Sequence, residues 1–230
     1  MNILFSCIID NYDRLKEVNL PEGWRAICFS NTPIESKTWE IVKIEKKDKI
    51  YRDIKIRPYA WLPKHDKSVW IDGNLEINIP LDKFIEGKYG FWLMKHPDRN
   101  CLYEEAKRCI ELGKDNAETI SKQINEYRNV VFPEQFGLSA TGCIIRDNDK
   151  YNSLFSDYWW KEVEDNSVRD QLSFDFIRWM MPGMKINHFP FLENIIYHQH
   201  VHKEKKPRCF KRRKVYPTKE YYRRYNNDKN

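Results

Sequence analysis

The chain has 230 residues, 41% hydrophobic and 14% aromatic, which supplies enough apolar material for a packed core and excludes wholesale disorder. Its mean hydropathy is -0.78, and no apolar run approaches the roughly 18–20 residues that a membrane-spanning helix needs. The net charge of +6 is divided unevenly, because twelve of the 40 Lys/Arg and three of the 34 Asp/Glu fall in residues 203–230. This distribution predicts a slightly acidic body with a basic tail, not a domain that grips nucleic acid over a whole face.

Short apolar runs alternate along the chain with amphipathic helical patterns. The first run, in MNILFSCIID, has no Lys or Arg before it and predicts a buried strand, not a signal peptide. Strands are predicted at 2–9, 26–29, 39–44, 68–71, 90–95 and 141–146, with shorter segments near 185–189 and 194–201. Helices are predicted at 51–62 (with Pro58 marking a kink or a late start), 100–112, 116–128, 151–164 and 167–180.

This alternation predicts an α/β domain over residues 1–202, with a mostly parallel mixed sheet flanked by helices, and a basic tail over 203–230. Six cysteines without a C-x-x-C pair predict reduced, buried thiols in a cytoplasmic protein. Ligands of such sheets bind where strands end, which directs attention to the loops 10–13, 30–33 and 72–74.

The strongest local signal is Trp70-Ile71-Asp72-Gly73-Asn74. Asp72 and Asn74 offer two oxygen donors two residues apart, which can share a hard ion such as Mg²⁺ or Mn²⁺, and Gly73 lets a ligand approach the backbone. Asp-Gly-Asn is also a common turn, so the pattern alone leaves a metal site and a plain turn open.

Arg52 and Lys55 lie on nearly one face of the first predicted helix. Two cations in that arrangement could balance a diphosphate, or they could form a solvated helix face. The segment from Ser167 to Asp170 resembles a capping box, with Asp in place of the usual Glu. At a helix N-terminus, Asp170 and Gln171 could also face an anionic ligand.

Three histidines alternate near the end of the predicted domain: His198, His200 and His202. On an extended chain their side chains point to one side, where they could complete a metal or phosphate site or simply lie on the surface.

Other catalytic patterns are missing from the sequence. It contains no P-loop, no G-x-G-x-x-G, no G-x-S-x-G and no H-E-x-x-H.

Taken in order, these segments resemble a hexosyltransferase family of GT-A type glycosyltransferase-like proteins that includes plant mucilage-synthesis and bacterial polysaccharide members. The resemblance spans about residues 3–178. It rests on Asn11-Tyr12-Asp13, Cys28-Phe29-Ser30-Asn31, Arg52, Lys55, Leu62-Pro63, Trp70-Ile71-Asp72-Gly73-Asn74, His96-Pro97-x-Arg99, Glu104-Glu105-Ala106, Gly142-Cys143-Ile144-Ile145-Arg146, Trp159-Trp160-x-Glu162-Val163 and Arg169-Asp170-Gln171-Leu172-Ser173-Phe174.

The resemblance implies a single GT-A type domain that binds a UDP- or GDP-sugar, usually with Mn²⁺ or Mg²⁺. Carried over residue by residue, it implies a nucleotide-sugar site formed by Asn11, Tyr12, Ser30, Asn31, Arg52, Lys55, Asp72 and Gly73. It implies metal ligands at Asp72, Asn74 and His198 or His200, and a catalytic polar pair at Asp170 and Gln171. Asn74 departs from the second acid of the family's D-x-D pattern, which implies weaker metal binding.

The leading hypothesis is therefore a metal-dependent glycosyltransferase acting on a glycan or lipid-linked acceptor. Two rivals are a nucleotide or nucleic-acid binding module without chemistry, and an inactive scaffold, which Asn74 keeps open. The tail interleaves Lys and Arg with five aromatic residues. It could be solvated, could contact an anionic membrane, which would make the protein peripheral, or could bind single-stranded nucleic acid. The acidic body and the lack of RNA-binding signatures disfavour nucleic acid.

Overall fold

A computed structural model describes residues 1–200, so His202 and the basic tail lie outside the described residues. The strands are β1 (Asn2–Ile8), β2 (Trp24–Ser30), β3 (Glu40–Lys43), β4 (Lys67–Ile71), β5 (Leu75–Ile77), β6 (Phe91–Lys95), β7 (Ser139–Asp147), β8 (Ile186–Phe189) and β9 (Ile195–Tyr197). The helices are α1 (Ile50–Ile56), α2 (Pro58–Trp61), α3 (Leu81–Ile85), α4 (Leu102–Glu111), α5 (Ala117–Asn129), α6 (Lys150–Asp165) and α7 (Gln171–Met180).

Seven strands form one mixed sheet in the order β3-β2-β1-β4-β7-β6-β8. β7 is antiparallel to both of its neighbours, whereas the other four strand pairs are parallel. Six strands therefore end at one edge of the sheet, and β7 begins there. The predicted α/β class with a mostly parallel mixed sheet is confirmed.

Alternate side chains of each strand pack on opposite faces of the sheet. On one face, Phe5 of β1 packs with residues of α1, α6 and α7, including Trp159 and Phe174. On the other face, Leu4 packs with residues of α3 and of the small β5–β9 sheet. The site at the strand ends is thus held between two layers.

Local chemistry explains several element boundaries. α5 and α6 are preceded by the N-cap residues Asn116 and Asp149, whose side chains accept backbone N–H groups. The predicted break at Pro58 is confirmed, because α1 ends at Ile56 and α2 begins at the proline. Within residues 1–200, no helix is long and apolar enough to cross a membrane.

Two boundary predictions were wrong. α7 begins at Gln171, and Asp170 makes no side-chain cap, so the predicted capping box does not form. Asp170 pairs instead with cations of α1, as described below. β9 ends at Tyr197, so His198 and His200 lie beyond the strand, and they bond to different carboxylates, those of Glu76 and Asp13.

Candidate active-site cleft

A cleft of about 700 Å³ opens at the sheet edge where β1, β4 and β6 end and β7 begins. Residues at the N-terminus of α7 and on α1 line the cleft, as do Phe191, Leu192, Tyr197 and His200. Nine of the residues predicted for the site line this cleft: Tyr12, Arg52, Lys55, Asp72, Gly73, Asn74, Asp170, Gln171 and His200.

Three charged side chains form a buried ion cluster at the centre of the cleft wall. Lys55 Nζ lies 2.7 Å from Asp170 Oδ2, and Arg52 Nη1 lies 3.0 Å from Asp170 Oδ1. Lys55 also donates to Thr141 Oγ1 at 3.1 Å. Because Lys55 and Asp170 are only 1% and 2% exposed, the cluster joins α1, β7 and α7 away from bulk water.

This environment fixes the charge of Asp170. Burial alone would raise the pKa of its carboxyl group, but the adjacent Arg52 and Lys55 hold that pKa well below its usual range. Burial lowers the pKa of Lys55, and the charges of Asp170 and Asp72 partly offset that effect. Asp170 is therefore a weak proton acceptor, and its geometry suits it to orienting the two cations.

Asp72 is the most accessible carboxylate beside this cluster. Its side chain is 37% exposed, and Oδ1 lies 3.7 Å from Lys55 Nζ. Trp70 Nε1 donates to the same oxygen at 2.8 Å. The backbone N–H of Asp72 donates to Gly142 O, which anchors the residue at the start of its loop.

Gly73 and Gly142 leave room on the cleft floor. A Cβ at Gly73 would lie 2.9 Å from Asp13 Cβ, and one at Gly142 would lie 3.3 Å from Asp72 Oδ2. The predicted need for glycine at position 73 thus has a different cause, because the group that approaches it is Asp13 of the β1 loop.

Asp13 is a cleft residue that sequence reasoning missed. Its side chain is 10% exposed, and its Oδ1 lies 2.7 Å from His200 Nδ1. The ring of His200 stands 5.0 Å from that of Tyr12. The sequence directs attention to the loop 10–13, but a pairing across 187 residues leaves no local signal.

Four predicted residues do not line the cleft. Ser30 is buried and bonds within its own loop to Thr32. Asn31 exchanges hydrogen bonds with Asp10, and Asn11 Oδ1 accepts from Thr32 Oγ1 at 2.7 Å. These side chains tie the loops after β1 and β2 together. His198 bonds to Glu76 at 2.6 Å, outside the cleft lining.

The four predicted metal ligands do not converge on one point. His200 and His198 bond to different carboxylates, and the Asn74 side chain bonds to Tyr197. Residues 1–200 contain no group of three or more His, Cys, Asp and Glu that could hold a metal ion. Asp72 and Asn74 nevertheless both line the cleft, where they could supplement ligands that a bound molecule brings.

Two further polar groups lie at the N-terminus of α7. Arg169 and Gln171 line the cleft, yet Arg169 Nε and Gln171 Nε2 are buried without a hydrogen-bond partner among the residues described. Buried donors are costly when unsatisfied, so these two suit a ligand. Asp115 positions them by accepting from Ser167 Oγ and the Val168 N–H at 2.7 and 2.9 Å.

Comparison with known proteins identifies the family to which the chain is similar. Residues 20–205 match the family model described as "TOD1/MUCI70, glycosyltransferase-like domain". The Arabidopsis thaliana protein "Probable hexosyltransferase MUCI70" is 30% identical over 137 residues, which cover 54% of this chain and 24% of that protein. "Alkaline ceramidase TOD1" of the same plant is 24% identical over 187 residues, covering 71% of this chain and 40% of that protein. The chain thus spans less than half the length of either relative, and their names describe different reactions.

Proposed function

The chain belongs to the TOD1/MUCI70 glycosyltransferase-like domain family, and on this premise we propose that its cleft transfers a hexose-type sugar from a nucleotide-sugar to an acceptor hydroxyl group. The acceptor would be a glycan or a lipid-linked sugar. The observation that carries the proposal is the buried Arg52–Asp170–Lys55 cluster beside the accessible carboxylate of Asp72.

Sugar transfer needs a stabilised leaving group, because negative charge grows on the nucleoside diphosphate as the glycosidic bond breaks. Fixed charges in a site with little water stabilise such charge more strongly than water does, and they need no reorganisation. Arg52 and Lys55 carry two positive charges against the single charge of Asp170, and Arg169 adds another cation to the wall. This wall suits a diphosphate.

A proton acceptor for the acceptor hydroxyl must be reachable and must have a suitable pKa. Asp170 meets neither condition, since it is 2% exposed and held ionised by two cations. We propose that Asp170 instead holds the side chains of Arg52 and Lys55 in position. Gln171, with its unsatisfied Nε2, would contact the bound sugar, and Asp72 is the carboxylate that a substrate can reach.

We propose that a divalent ion, Mn²⁺ or Mg²⁺, enters together with the donor and not alone. Asp72 and Asn74 offer only two oxygen donors, whereas Mg²⁺ takes six, several of which substrate phosphates commonly supply. A bound ion would screen the diphosphate charge. The protein would need no preformed cage of its own.

The site is tested first by thermal unfolding with UDP, GDP and their common sugars, each with and without Mn²⁺. A ligand that binds only the native state raises the Tm, by an amount equivalent to about 2.7 kcal/mol at 100 times its Kd. We expect a shift that needs nucleotide and metal together and is small with Mn²⁺ alone. A large shift with Mn²⁺ alone would contradict joint binding.

Turnover is tested by release of the nucleoside diphosphate from the donor that binds. Asp72→Ala should abolish it without loss of the fold, because Asp72 is partly exposed. Glu76→Gln is a matched control, since Glu76 is similarly exposed at 33% but lies outside the cleft lining. An active Asp72→Ala protein would refute the proposal.

The rivals give other results. An inactive scaffold would bind nucleotide without releasing product from any donor. A binding module would lose its ligand on removal of residues 203–230 and would be unaffected by Asp72→Ala.

We further propose that the protein acts in the cytoplasm and that its tail contacts an anionic membrane surface, where it would reach lipid-linked acceptors.

A further inference from the structure

Arg146, near the end of β7, is a buried cation for which residues 1–200 provide no ion-pair partner. It is 2% exposed, and no carboxylate of residues 1–200 forms an ion pair with it. Burial lowers the pKa of its guanidinium group, and no neighbouring charge offsets that effect. A buried charge of this kind is costly unless strong hydrogen bonds compensate it.

The hydrogen bonds of Arg146 go to the last turn of α1. Nη2 donates to Lys55 O at 2.7 Å and Nη1 to Ile56 O at 2.8 Å, with Ser156 Oγ at 3.4 Å. The guanidinium also lies 5.1 Å from the ring of Phe91. Its main partners are thus two backbone carbonyls that a regular helix would have used itself.

Pro58 explains why these carbonyls are available. A proline cannot continue α1, so the helix ends at Ile56 and its last carbonyls, including those of Lys55 and Ile56, lack partners within it. Arg146 supplies two charge-assisted donors at that position. The end of α1 therefore leaves acceptors without partners, and the buried guanidinium group of Arg146 supplies their donors.

One of the two carbonyls that Arg146 binds belongs to Lys55 itself. At the other end of α1, Lys49 Nζ donates to three carbonyls near the end of α6: Val163 O, Glu164 O and Asn166 O. Both ends of α1 are thus anchored by cations. The side chains of Arg52 and Lys55, which lie between the anchors, reach Asp170 from a fixed backbone.

We infer that Arg146 is a positioning residue, which holds the end of α1 so that Lys55 stands between Asp170 and Asp72. Its catalytic consequence rests on the proposed function, but its structural consequence does not. Trp70 provides a probe that needs no turnover, because its Nε1 donates to Asp72 Oδ1 at 2.8 Å and Lys55 Nζ lies 5.7 Å from its ring.

The test compares Arg146→Met and Arg146→Lys in the full chain. The matched control is Lys67→Met, which removes another largely buried cation, 11% exposed, that pairs with Asp147. Each variant is labelled with ¹⁵N-tryptophan, and the Trp70 indole N–H signal is assigned with Trp70→Phe. The Tm, the Kd for UDP and the kcat and KM for donor turnover are then measured.

We expect Arg146→Met to fold with a Tm lowered by roughly 5–10 °C, because the carbonyls of Lys55 and Ile56 lose their donors, while removal of a buried charge offsets part of that loss. The Trp70 signal should move, kcat should fall by roughly 10- to 100-fold, and the Kd for UDP should rise, because UDP carries the charge that Lys55 is proposed to stabilise. Arg146→Lys should recover part of both effects. Lys67→Met should leave the Trp70 signal unchanged.

An unchanged Trp70 signal in a folded Arg146→Met protein would overturn the inference. So would losses of kcat that merely follow the loss of Tm, as in Lys67→Met. If Arg146→Met does not fold, the Arg146→Lys protein decides by the same readouts. If the wild type turns over no donor, the proposed function fails, whereas the Trp70 signal still decides the role of Arg146.

Discussion

Lys55 Nζ lies 2.7 Å from Asp170 Oδ2, and neither side chain is more than 2% exposed. The two residues are 115 positions apart, on α1 and at the N-cap of α7. Removing two charges from water costs free energy that only close geometry and further partners recover. Arg52, Thr141 and Asp72 are those partners. The cluster therefore links the stability of the fold to the charge of the cleft.

Asp170→Asn should lower the free energy of unfolding by about 3–5 kcal/mol, because it leaves two buried cations with one partner fewer. Urea unfolding measures this loss. Asp165→Asn is the surface control, since its pair with Lys161 is more than half exposed on both sides and should change stability by less than about 1 kcal/mol. Equal unfolding midpoints for the two variants would contradict the stabilising role of the cluster.

His96 should make the protein less stable in mild acid. Its Nδ1 accepts from the Asp98 and Arg99 N–H groups, and burial and then the charge of Arg99 lower its pKa to about 4. The unfolded chain, with a histidine pKa near 6.5, then binds more protons than the native state between pH 6.5 and 4. Stability should fall across this window by roughly 1 to 3 kcal/mol as pH decreases.

His96→Asn separates this effect from general acid sensitivity, because an amide oxygen can accept the same N–H groups without titrating. Unfolding curves at pH 7.5, 6, 5 and 4.5 should show a flatter profile for the variant. His188, whose pKa burial also lowers to about 4, remains in both proteins and preserves part of the slope. Parallel profiles of stability against pH for the two proteins would show that His96 does not cause the loss of stability in acid.

Gly73→Ala should weaken nucleotide binding by displacing the β1 loop. The new Cβ would lie 2.9 Å from Asp13 Cβ, an atom too near the backbone to move independently. Gly183→Ala is the control, because nothing lies within 4 Å of a Cβ there. Calorimetry with UDP and Mn²⁺ should show at least a roughly tenfold rise in Kd for Gly73→Ala only, as a shift of about 1.4 kcal/mol would give. Unchanged affinity would remove Asp13 and its loop from the binding site.

Removing residues 203–230 should abolish binding to vesicles rich in phosphatidylserine and leave donor turnover intact. The tail holds twelve basic and three acidic residues, and each basic residue near an anionic surface contributes about 1 kcal/mol. Sedimentation with vesicles at 50 and 300 mM salt measures this, and zwitterionic vesicles are the control. Binding that survives the truncation would assign membrane contact to another surface.

The strands of the main sheet and most helices were predictable because periodicity and Pro58 mark them directly in the sequence, whereas the short β5 and α3 were not predicted. The family resemblance implied that Arg52, Lys55 and Asp72 share one site, whereas the helical spacing alone left a solvated helix face open for the two cations. The direction of β7 did not, since strand direction depends on pairing. Thr141 and Gly142 therefore could not be assigned to the cleft.

Long-range partners limited the prediction of roles. Asn11 and Asn31 occur in loops that end at the correct sheet edge, yet their hydrogen bonds tie those loops to each other. The sequence predicts that Asp170 caps a helix or acts as a base; the structure pairs it with Arg52 and Lys55 on α1, and its catalytic part stays a prediction. No local sequence pattern indicates with which distant cation a carboxylate will form an ion pair.

The Arg52–Asp170–Lys55 cluster also has an evolutionary consequence. Each charge is tolerated because the other charges are present, so a lineage that loses one member inherits a buried charge that selection must remove. The three positions should therefore be inherited as a unit. Family members that have lost the activity of the cleft should carry apolar residues at all three positions. The residues at these positions would then distinguish active from inactive members of the family.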